Sequence, residues 1–399
     1  MRIAMCTETY IPYVNGVVTH IKLLKRALEA MGHEVLIVTV SNEKDMVVKD
    51  GVLHCPSFRV ERVYGYRGTN PFSRERLAAL QAFNPDVIHV HNEYTLGFFG
   101  VRAARKLQVP LVYSIHMDFN AYLAKIPGAL SLFKRPLLAY LNYYLKRADV
   151  ILSMSHKAQT YIDMTGSKKK MELLPNSVEV KRFASDPEEA QKRLAMRRTL
   201  GLSDSTRAFV YVGRLSLEKN IEHLIDSFLY LDLPSEKARL FFVGDGPHTK
   251  ALKAKVAAAD ASDRITFLGS VENEKIADTL FAMDYYLTAS LSEMHSMSML
   301  EAMAAGLFCL VLEEPVNAWQ VKDDVTGWIW KNEDELKRQV AILLADDEKT
   351  REERRRRAKA WSLAHDEQHQ VETLLAVYER AVNGYVASVA TVETDLPSL

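Results

Sequence analysis

Short apolar runs alternate with amphipathic runs along most of this chain, and this alternation limits the folds open to it. The apolar run Ile3–Cys6 precedes a stretch with apolar residues at helical spacing over Val18–Met31, and the same order recurs downstream. Strands that alternate with helices predict a parallel sheet with helices on both faces. The alternation restarts at Ala208 and continues through Gly327. The sequence therefore predicts an α/β protein with two doubly wound, Rossmann-like domains.

The boundary between the two domains is predicted near Pro175–Arg182. We assign residues 1–176 to the first domain and 177–366 to the second. After Asp334 helical patterns dominate, and we interpret the Arg354–Arg357 run, which lies among acidic residues, as a solvated helix face. Residues 387–399 are small and polar and are predicted to form a disordered tail.

The composition is that of an ordinary globular protein, with 48% hydrophobic and 26% charged residues. Its three cysteines are odd in number and without pattern, which predicts buried thiols and neither disulfides nor a metal site. We find no signal peptide at the start and no apolar run near the roughly 20 residues that a membrane span needs. We therefore expect a cytoplasmic protein.

The zero net charge hides opposite charges on the two halves. Residues 1–175 contain 23 Lys and Arg against 14 Asp and Glu, whereas residues 176–399 contain 28 against 37. A basic first domain favours an anionic partner, and without a nucleic-acid-binding motif we expect no nucleic acid. The segment Ala129–Arg147 is rich in Leu, Phe and Tyr with basic residues at both ends. Such a helix lies on anionic lipid or packs against a sheet, and both interpretations stay open.

Two glutamates flank a predicted junction between a strand and a helix. The apolar run Tyr285–Ser290 leads to Glu293 in a loop and then to a helix that begins near Ser296, with Glu301 one turn inside it. The N-terminus of a helix presents free backbone N–H groups and a positive dipole end, which suit a phosphate. A carboxylate on each side of that anion fits a sugar nucleotide. Two such glutamates alone are more often surface groups on a capped helix.

Two further strand ends in the same domain carry glycine, and one of them carries cations. Gly213 and Gly244 each follow an apolar run, and Arg214 and Lys219 come after the first. Open α/β sheets bind ligands at the carboxyl ends of their strands, where Arg and Lys suit a diphosphate. Taken alone, the turn with Arg214 and Lys219 is more often a solvated basic turn, and a lone Gly-x-Gly is weak evidence for a nucleotide. The three strand–loop–helix units in series favour a nucleotide site.

With these motifs the chain resembles the retaining glycosyltransferases of the "group 1" class (GT4-like), which have the GT-B fold. The resemblance covers nearly the whole chain, and further segments at the start and in the linker share in it. The motifs are Gly213-Arg214-Leu215 with Lys219-Asn220, Gly244-Asp245-Gly246-Pro247, Glu293 with Glu301 before Ala302-Met303-Ala304-Ala305-Gly306, Thr9-Tyr10-Ile11-Pro12 with Asn15-Gly16-Val17, and Leu174-Pro175-Asn176-Ser177-Val178. The resemblance implies two domains facing across a cleft and a last helix, at 367–386, that crosses back to the first.

The resemblance also implies roles for single residues. Catalytic roles fall to Glu293 near the anomeric carbon, Arg214 and Lys219 at the leaving diphosphate, and His116 at the donor sugar. The residues expected to bind the donor are Asn15, Gly16, Gly213, Arg214, Lys219, Gly244, Ser296, Met297, Ser298 and Glu301, the last of them at the ribose. No second carboxylate is ready as a covalent nucleophile, so the implied reaction is front-face transfer with retention. With no Asp-x-Asp motif, no metal or other cofactor is expected.

The acceptor is predicted from two loops of the first domain. The segments His116–Leu123 and His91–Gly97 are similar to those of bacterial diacylglycerol glucosyltransferases, which move glucose from UDP-glucose to a membrane lipid. Tyr94, Asp118 and Tyr122 are therefore the candidate acceptor residues. We expect a hexosyltransferase that acts on diacylglycerol as a peripheral protein on the inner face of the cell membrane.

Three other functions stay open: a transferase for a soluble sugar, glycan or protein acceptor, a sugar-nucleotide 2-epimerase, and a non-catalytic scaffold. The glutamate pair argues against the epimerase, and the complete set of charged residues argues against the scaffold. The chain departs from the family pattern at Ser296, at Phe308 and at Glu313–Ala318, where the family has Gly, Pro and a Gly-rich loop. Because that loop lies near the donor sugar in the family, Glu313 and Glu314 leave the donor sugar open. The oligomeric state is not given by the sequence.

Overall fold

The computed structural model describes residues 1–13, 15–59, 67–118, 130–184 and 189–394. The chain divides into two units, of which the first comprises Met1–Pro175 with Glu367–Leu399 and the second Asn176–Asp366. The division falls one residue before the boundary predicted from the sequence. No described helix has the length and apolarity to span a membrane.

The first unit contains an eight-stranded sheet in the order β10-β9-β8-β7-β1-β2-β4-β3. Its strands are β1 (Arg2–Cys6), β2 (Glu34–Ser41), β3 (Val47–Lys49), β4 (Val52–Pro56), β7 (Val87–Val90), β8 (Leu111–Ile115), β9 (Val150–Ser153) and β10 (Glu172–Leu173), and a separate pair is formed by β5 (Phe58–Arg59) and β6 (Arg67–Gly68). All neighbours in the large sheet are parallel except β3, which is antiparallel to β4. Asp50 and Gly51 join these two strands with positive φ angles of 52° and 70°. An Asp-Gly pair favours such a tight hairpin turn, and it explains the one edge strand that is not parallel.

The helices of the first unit surround this sheet and include the end of the chain. They are α1 (Gly16–Ala30), α2 (Arg74–Phe83), α3 (Thr95–Leu107), α4 (Leu130–Arg147), α5 (Lys157–Met164) and α14 (Glu367–Thr394). In α14, Val371, Leu374 and Tyr378 are fully buried in one core with Ile3 and Met5 of β1.

The predicted disordered tail is wrong for residues 387–394, because α14 continues through Thr394. No Gly or Pro interrupts the chain between Tyr385 and Thr394, so the helix has no local reason to end where the composition becomes small and polar. Residues 395–399 lie outside the described residues.

The second unit contains a six-stranded sheet in the order β13-β12-β11-β14-β15-β16, with all neighbours parallel. Its strands are β11 (Arg207–Val212), β12 (Ala238–Val243), β13 (Ile265–Gly269), β14 (Tyr285–Thr288), β15 (Phe308–Leu312) and β16 (Gly327–Trp330). Its helices are α6 (Glu189–Thr199), α7 (Ile221–Tyr230), α8 (Thr249–Ala258), α9 (Ile276–Phe281), α10 (Met297–Ala304), α11 (Pro315–Gln320), α12 (Glu333–Ala345) and α13 (Glu348–Ser362), with 3₁₀ turns at Val180–Phe183, Leu217–Lys219, Asn273–Lys275 and Leu363–His365. The strand order reverses between β11 and β14, and ligands of open α/β sheets bind at such a switch point.

Side chains of the second sheet are buried on both faces. Along β11, Phe209 and Tyr211 belong to one hydrophobic core, whereas Ala208 and Val210 belong to another on the opposite face. Strands buried on both faces are typical of parallel sheets covered by helices, as the sequence predicts. All three cysteines are free and buried, which confirms the prediction of buried thiols.

The interpretation of the Arg354–Arg357 run as a solvated face is wrong for Arg354. Its guanidinium lies 4.8 Å from the ring centre of Phe308 and 4.7 Å from that of Trp328. It also pairs with Asp346 at 2.9 Å and with Asp324 at 3.1 Å. A buried arginine needs such partners, and they come from segments distant in sequence.

Candidate active site

The ion pair between Lys219 and Glu293 lies at the switch point of the second sheet. Lys219 ends the 3₁₀ turn after β11, and Glu293 lies in the loop after β14. The ammonium Nζ is 2.6 Å from Oε1 of Glu293, and the hydroxyl of Ser290 donates to the same oxygen at 2.7 Å. The Lys219 and Glu293 side chains keep 21% and 17% of their surface exposed. Two predicted catalytic residues are thus held together and remain accessible.

Hydrogen bonds join the two loops that carry this pair. The side chain of Asn220 donates to the carbonyl of Ala289 at 3.2 Å, and the hydroxyl of Ser292 donates to the carbonyl of Glu218 at 3.0 Å. Each of these hydrogen bonds joins one loop to a backbone carbonyl of the other, although the loops are about seventy residues apart in sequence. The loops themselves therefore hold Lys219 and Glu293 together, in addition to the attraction between the two side chains.

The N-terminus of α10 follows Glu293. Ser296 caps the helix by accepting from the backbone N–H of Met299 at 3.3 Å, and its own N–H donates to Oε1 of Gln320 at 2.9 Å. The N–H of Ser296 is therefore already occupied by a protein acceptor. The N–H groups of Met297 and Ser298 have no partner within the described part of the chain. They are the donors that this helix end offers to an anion.

Helix α11 holds the loop from the other side. The side-chain amide of Gln320 also donates to the carbonyl of Ser296 at 2.7 Å, so that it binds both backbone groups of that residue. Asn317 donates to the carbonyl of Ser290 at 3.0 Å. Both side chains are buried. They fix the two ends of the loop that contains Glu293, and the sequence analysis did not identify either of them.

The acidic pair that replaces a Gly-rich loop has structural partners. The carboxylate of Glu314 caps α11 by accepting from the N–H groups of Val316 at 2.8 Å and Asn317 at 3.2 Å. Glu313 is exposed at the surface and lies 3.5 Å from the ammonium of Lys331. Glu314 therefore starts the helix that positions the Glu293 loop, which explains an acid at this place without reference to the donor sugar.

Glu301 lies one turn inside α10 and is buried. Burial raises the pKa of its carboxyl to about 7, and the guanidinium of Arg182, 4.0 Å away, acts in the opposite direction. Arg182 belongs to the 3₁₀ turn Val180–Phe183. Near pH 7 this carboxyl is therefore poised between its neutral and ionised forms, and the hydroxyl groups of a ligand would favour the ionised one.

Arg214, Gly213 and Gly244 lie at the ends of neighbouring strands. The Arg214 side chain is partly exposed and forms no hydrogen bond or ion pair with any residue that the structure describes. A Cβ on Gly244, whose φ is +130°, would lie 2.0 Å from the carbonyl oxygen of Gly213. Glycine at position 244 is thus required by the packing of two strand ends, whether or not a nucleotide approaches it.

His116 of the first unit follows β8 and lies among other histidines. Its Nε2 is 3.0 Å from Nδ1 of His91, which follows the neighbouring strand β7. The ring of His20, from α1, is centred 5.2 Å from that of His116. Burial lowers the pKa of His116 well below its usual value, so that the imidazole is neutral. The sequence analysis did not predict His20 or His91 as site residues. The only signal for His91 is that two neighbouring parallel strands, β7 and β8, are each followed by a histidine.

Asn15 and Gly16 form the start of α1. The side chain of Asn15 accepts from the N–H of Val18 at 3.0 Å and caps the helix. A Cβ on Gly16 would meet nothing within 4 Å, so the backbone there faces open space. The loop therefore has room for close approach of a ligand to the backbone.

The predicted acceptor residues have different surroundings. Tyr94 precedes α3 and donates its hydroxyl to the sulfur of Met117 at 3.4 Å. Asp118 is buried, pairs with Lys157 at 2.7 Å and accepts from the hydroxyl of Tyr161. Tyr122 lies outside the described residues. Tyr94 thus contacts Met117, the residue before Asp118, and Asp118 already has strong partners.

Two buried carboxyl groups near Tyr94 were missed by the sequence analysis. Glu8 follows β1 and accepts from the N–H of Leu96 and from the hydroxyl of Thr95 at the start of α3. Glu93 accepts from the hydroxyl of Tyr113 at 2.6 Å. Burial raises the pKa of each to about 7.

Comparisons with known proteins agree with this arrangement. Residues 192–361 match the family model described as "Glycosyl transferases group 1", and residues 14–182 match "Glycosyltransferase Family 4". The chain is 29% identical to an alpha-monoglucosyldiacylglycerol synthase of Streptococcus pneumoniae, over 84% of this chain and 76% of that protein. It is 27% identical to the enzyme of the same name from Acholeplasma laidlawii, over 84% of this chain and 86% of that protein.

Other similar proteins differ in their named donor. A GDP-mannose-dependent alpha-mannosyltransferase of Mycobacterium tuberculosis is 27% identical over 77% of this chain and 78% of its own length. Among solved structures, Anabaena HepE with UDP and glucose superimposes with a TM-score of 0.74 at 18% identity, covering 94% of this chain and 99% of that one. That likeness shows the GT-B fold. From the two family matches, the two Rossmann-like sheets and the named relatives, the chain belongs to the group 1 glycosyltransferases and is a hexosyltransferase.

Proposed function

We propose that this protein is a retaining glucosyltransferase that moves glucose from UDP-glucose to a membrane lipid such as diacylglycerol, without a metal ion. The observation that carries this proposal is the similarity to two alpha-monoglucosyldiacylglycerol synthases over 84% of the chain. The charges and hydrogen-bond donors at the switch point of the second sheet support the donor half of the proposal.

The departing diphosphate would meet fixed positive groups. The Arg214 side chain has no hydrogen-bond or ion-pair partner among the described residues, so it is available to a diphosphate. Lys219 is partly exposed, and a diphosphate would compete with Glu293 for its ammonium. The N–H groups of Met297 and Ser298 add two donors at the positive end of α10. Groups that are already oriented toward developing negative charge stabilise a transition state strongly, since they need no reorganisation. This set supports the proposal that the nucleoside diphosphate departs without a metal ion.

The proposed roles of the two glutamates differ because their surroundings differ. Glu301 is buried and has a raised pKa, which suits a carboxylate that accepts hydrogen bonds from ribose hydroxyls. Glu293 is held by Lys219 and Ser290 on one oxygen. Those bonds stabilise the charge of Glu293 and weaken it as a nucleophile, which favours hydrogen bonding to the sugar and front-face transfer over a covalent intermediate. The proposed partner of the donor sugar in the first unit is His116.

Charge on the first unit supports the lipid half of the proposal. Residues of the first unit, including 367–399, comprise 24 Lys and Arg against 19 Asp and Glu, a net charge of +5. On α4, Arg135, Lys146 and Arg147 are exposed, as are Lys168, Lys169 and Lys170. However, Leu141, Tyr144 and Leu145 of α4 are buried in the unit. We therefore propose that these cations attract the protein to an anionic surface, and that no apolar helix face inserts into it.

A second candidate is transfer from another nucleotide sugar or to a soluble acceptor. The similarity to a GDP-mannose-dependent mannosyltransferase supports GDP-mannose as the alternative donor. The same donor-site residues would serve either reaction, so the site geometry does not separate them.

The test is release of nucleoside diphosphate by the purified protein. UDP-glucose and GDP-mannose are each supplied with anionic vesicles that contain diacylglycerol, with vesicles that lack it, and with no vesicles. We expect UDP release that requires diacylglycerol and is lost in Glu293→Gln. Release from GDP-mannose alone would overturn the donor assignment, and release that is equal without lipid would overturn the acceptor assignment.

A further inference from the structure

Three histidines of the first unit bring ring nitrogens to one place. One nitrogen from each of His20, His91 and His116 lies within 4.8 Å of the other two. They come from separate elements, since His20 is in α1 and the others follow β7 and β8. His20 and His91 are buried and His116 is half-buried, so the group lies at the edge of the unit's interior and is reached from the side of His116.

Several of these nitrogens lack hydrogen-bond partners. Both ring nitrogens of His20 and Nε2 of His91 are inaccessible and have no partner within the described residues. Within the cluster, Nδ1 of His91 and Nε2 of His116 are paired with each other at 3.0 Å. Buried polar atoms are nearly always satisfied, so three unsatisfied nitrogens in one histidine cluster call for an explanation. The neighbouring His89 is a useful contrast, because its nitrogens bond to Tyr378 and Ser114 at 2.7 Å each. The protein therefore satisfies one buried histidine fully and leaves the adjacent cluster with spare ligand atoms.

We propose that His20, His91 and His116 form a binding site for one divalent transition metal ion of the zinc type. Three imidazoles are a common ligand set for zinc, cobalt, nickel and copper, with a remaining position for water or another ligand. Ring nitrogens bound to one tetrahedral zinc ion are about 3.3 Å apart, so the cluster would contract by a modest side-chain movement on binding.

Metal at this site would have a consequence for transfer that rests on the proposed function. His116 is the residue we assign to the donor sugar, and its ring cannot serve a metal ion and the sugar in the same way. The bound ion would therefore inhibit the glucosyltransferase rather than activate it. This separates the site from the diphosphate site of the second unit, for which we propose no metal.

Cobalt titration tests the site without any assay of transfer. Untagged protein, freed of metal by chelation, is titrated with Co²⁺ and the visible absorption of tetrahedral cobalt is recorded. We expect a band that saturates at one ion per chain, is abolished by Zn²⁺ and is absent in His20→Gln. The control is His33→Gln, which removes a partly buried histidine of the same unit outside the cluster and should leave the band unchanged. Zn²⁺ should raise the unfolding temperature of the wild type but not of His20→Gln.

The outcomes are distinguishable from failure of the proposed function. A cobalt band in a protein that shows no transfer supports the metal site and overturns only the transferase assignment. Absence of the band, or a band of equal strength in His20→Gln, overturns the metal site whatever the protein transfers. If His20→Gln does not fold, His91→Gln and His116→Asn take its place in the titration. In a protein that does transfer glucose, Zn²⁺ should inhibit the wild type at least ten-fold more strongly than His20→Gln.

Discussion

The ammonium of Lys219 lies 2.6 Å from a carboxylate oxygen of Glu293, across the two loops at the switch point of the second sheet. A lysine and a glutamate so paired neutralise each other while no donor is bound. A diphosphate would compete for the ammonium, and a sugar hydroxyl would compete for the carboxylate. In the proposed function, the pair would therefore link binding of the two halves of a nucleotide sugar.

Replacing Lys219 by methionine should slow transfer with little loss of stability. The variant removes a cation from the leaving diphosphate, and loss of one preoriented group of this kind costs about 100-fold to 1,000-fold in kcat. Kinetics with UDP-glucose measure the effect. Lys255→Met is the control, since it breaks an ion pair of similar length, with Asp226, on the surface of the same unit. Equal activities of the two variants would show that the Lys219 pair is only structural.

Glu301 should make UDP binding depend on pH. Its pKa of about 7 means that the carboxyl becomes protonated as the pH falls below neutral, and a protonated carboxyl accepts hydroxyl hydrogen bonds poorly. The affinity for UDP, measured by calorimetry, should therefore fall as pH decreases through about 7. In Glu301→Gln it should be lower above that pH and independent of pH. A flat profile in the wild type would remove Glu301 from the ribose.

Glu301 should also make stability depend on pH, but in the opposite direction to UDP binding: stability should fall as pH rises. Because the folded pKa of Glu301 is raised from 4.5 to about 7, its favourable contribution is complete below 4.5 and is lost as pH rises through 7. Glu301→Gln should consequently be more stable than the wild type by about 3 kcal/mol near pH 8, an order-of-magnitude figure. The gain should vanish toward pH 4.5. Urea unfolding at both pH values checks it, and a gain independent of pH would point to another cause.

Gln320 should control donor binding although it has no proposed contact with the donor. Its amide binds both the N–H and the carbonyl of Ser296. Gln320→Ala leaves the buried N–H unpaired, at a cost of about 1–3 kcal/mol, and leaves the carbonyl with only the N–H of Leu300, at 3.3 Å. The N-terminus of α10 would lose its fixed position, and we expect the KM for UDP-glucose to rise about ten-fold. The control Gln339→Ala also removes a hydrogen bond from a side-chain amide to a backbone carbonyl, that of Ile329. It should lower stability without changing the KM. If both variants alter the KM alike, the hydrogen bonds between Gln320 and Ser296 have no special role in donor binding.

The exposed cations of α4 should govern binding to membranes. Exchanging Arg135, Lys146 and Arg147 for serine removes three charges worth about 1 kcal/mol each near an anionic surface, or roughly 100-fold in vesicle affinity. The loss should shrink at high salt because the attraction is screened. A control with Lys331, Lys349 and Arg356, exposed cations of the second unit, should bind vesicles like the wild type. Equal losses in both would contradict a specific lipid-facing surface.

Much of the fold could be predicted from the sequence because hydrophobic patterning is local. Runs such as Phe209–Val212 and Leu240–Val243 predicted strands, and the glycines after them predicted the turns. The edge strand β3 was missed, although Asp50-Gly51 marks its hairpin, because a three-residue exposed strand has no apolar pattern. The end of α14 was misplaced because small residues such as Ala387 and Ala390 were taken as a sign of disorder.

The supporting residues of the site could not be predicted because they act over long sequence distances. Gln320 and Asn317 contact loops twenty or more residues away, and nothing in their own neighbourhood indicates it. His20 looked like one position of an amphipathic helix, and its approach to His116 depends on how α1 packs against the sheet. Arg354 similarly looked solvated in a charged helix. Pair contacts of this kind become visible only in three dimensions.

The most direct measurement is the structure of the product formed from UDP-glucose and diacylglycerol in anionic vesicles. The lipid is extracted, and the anomeric proton of its sugar is identified by NMR. We predict one α-linked glucosyl diacylglycerol, the same configuration as in the donor, with no added metal and none formed by Glu293→Gln. A β-linked product would contradict retention. Absence of any glycolipid, while the protein transfers sugar to a soluble acceptor, would contradict the lipid assignment.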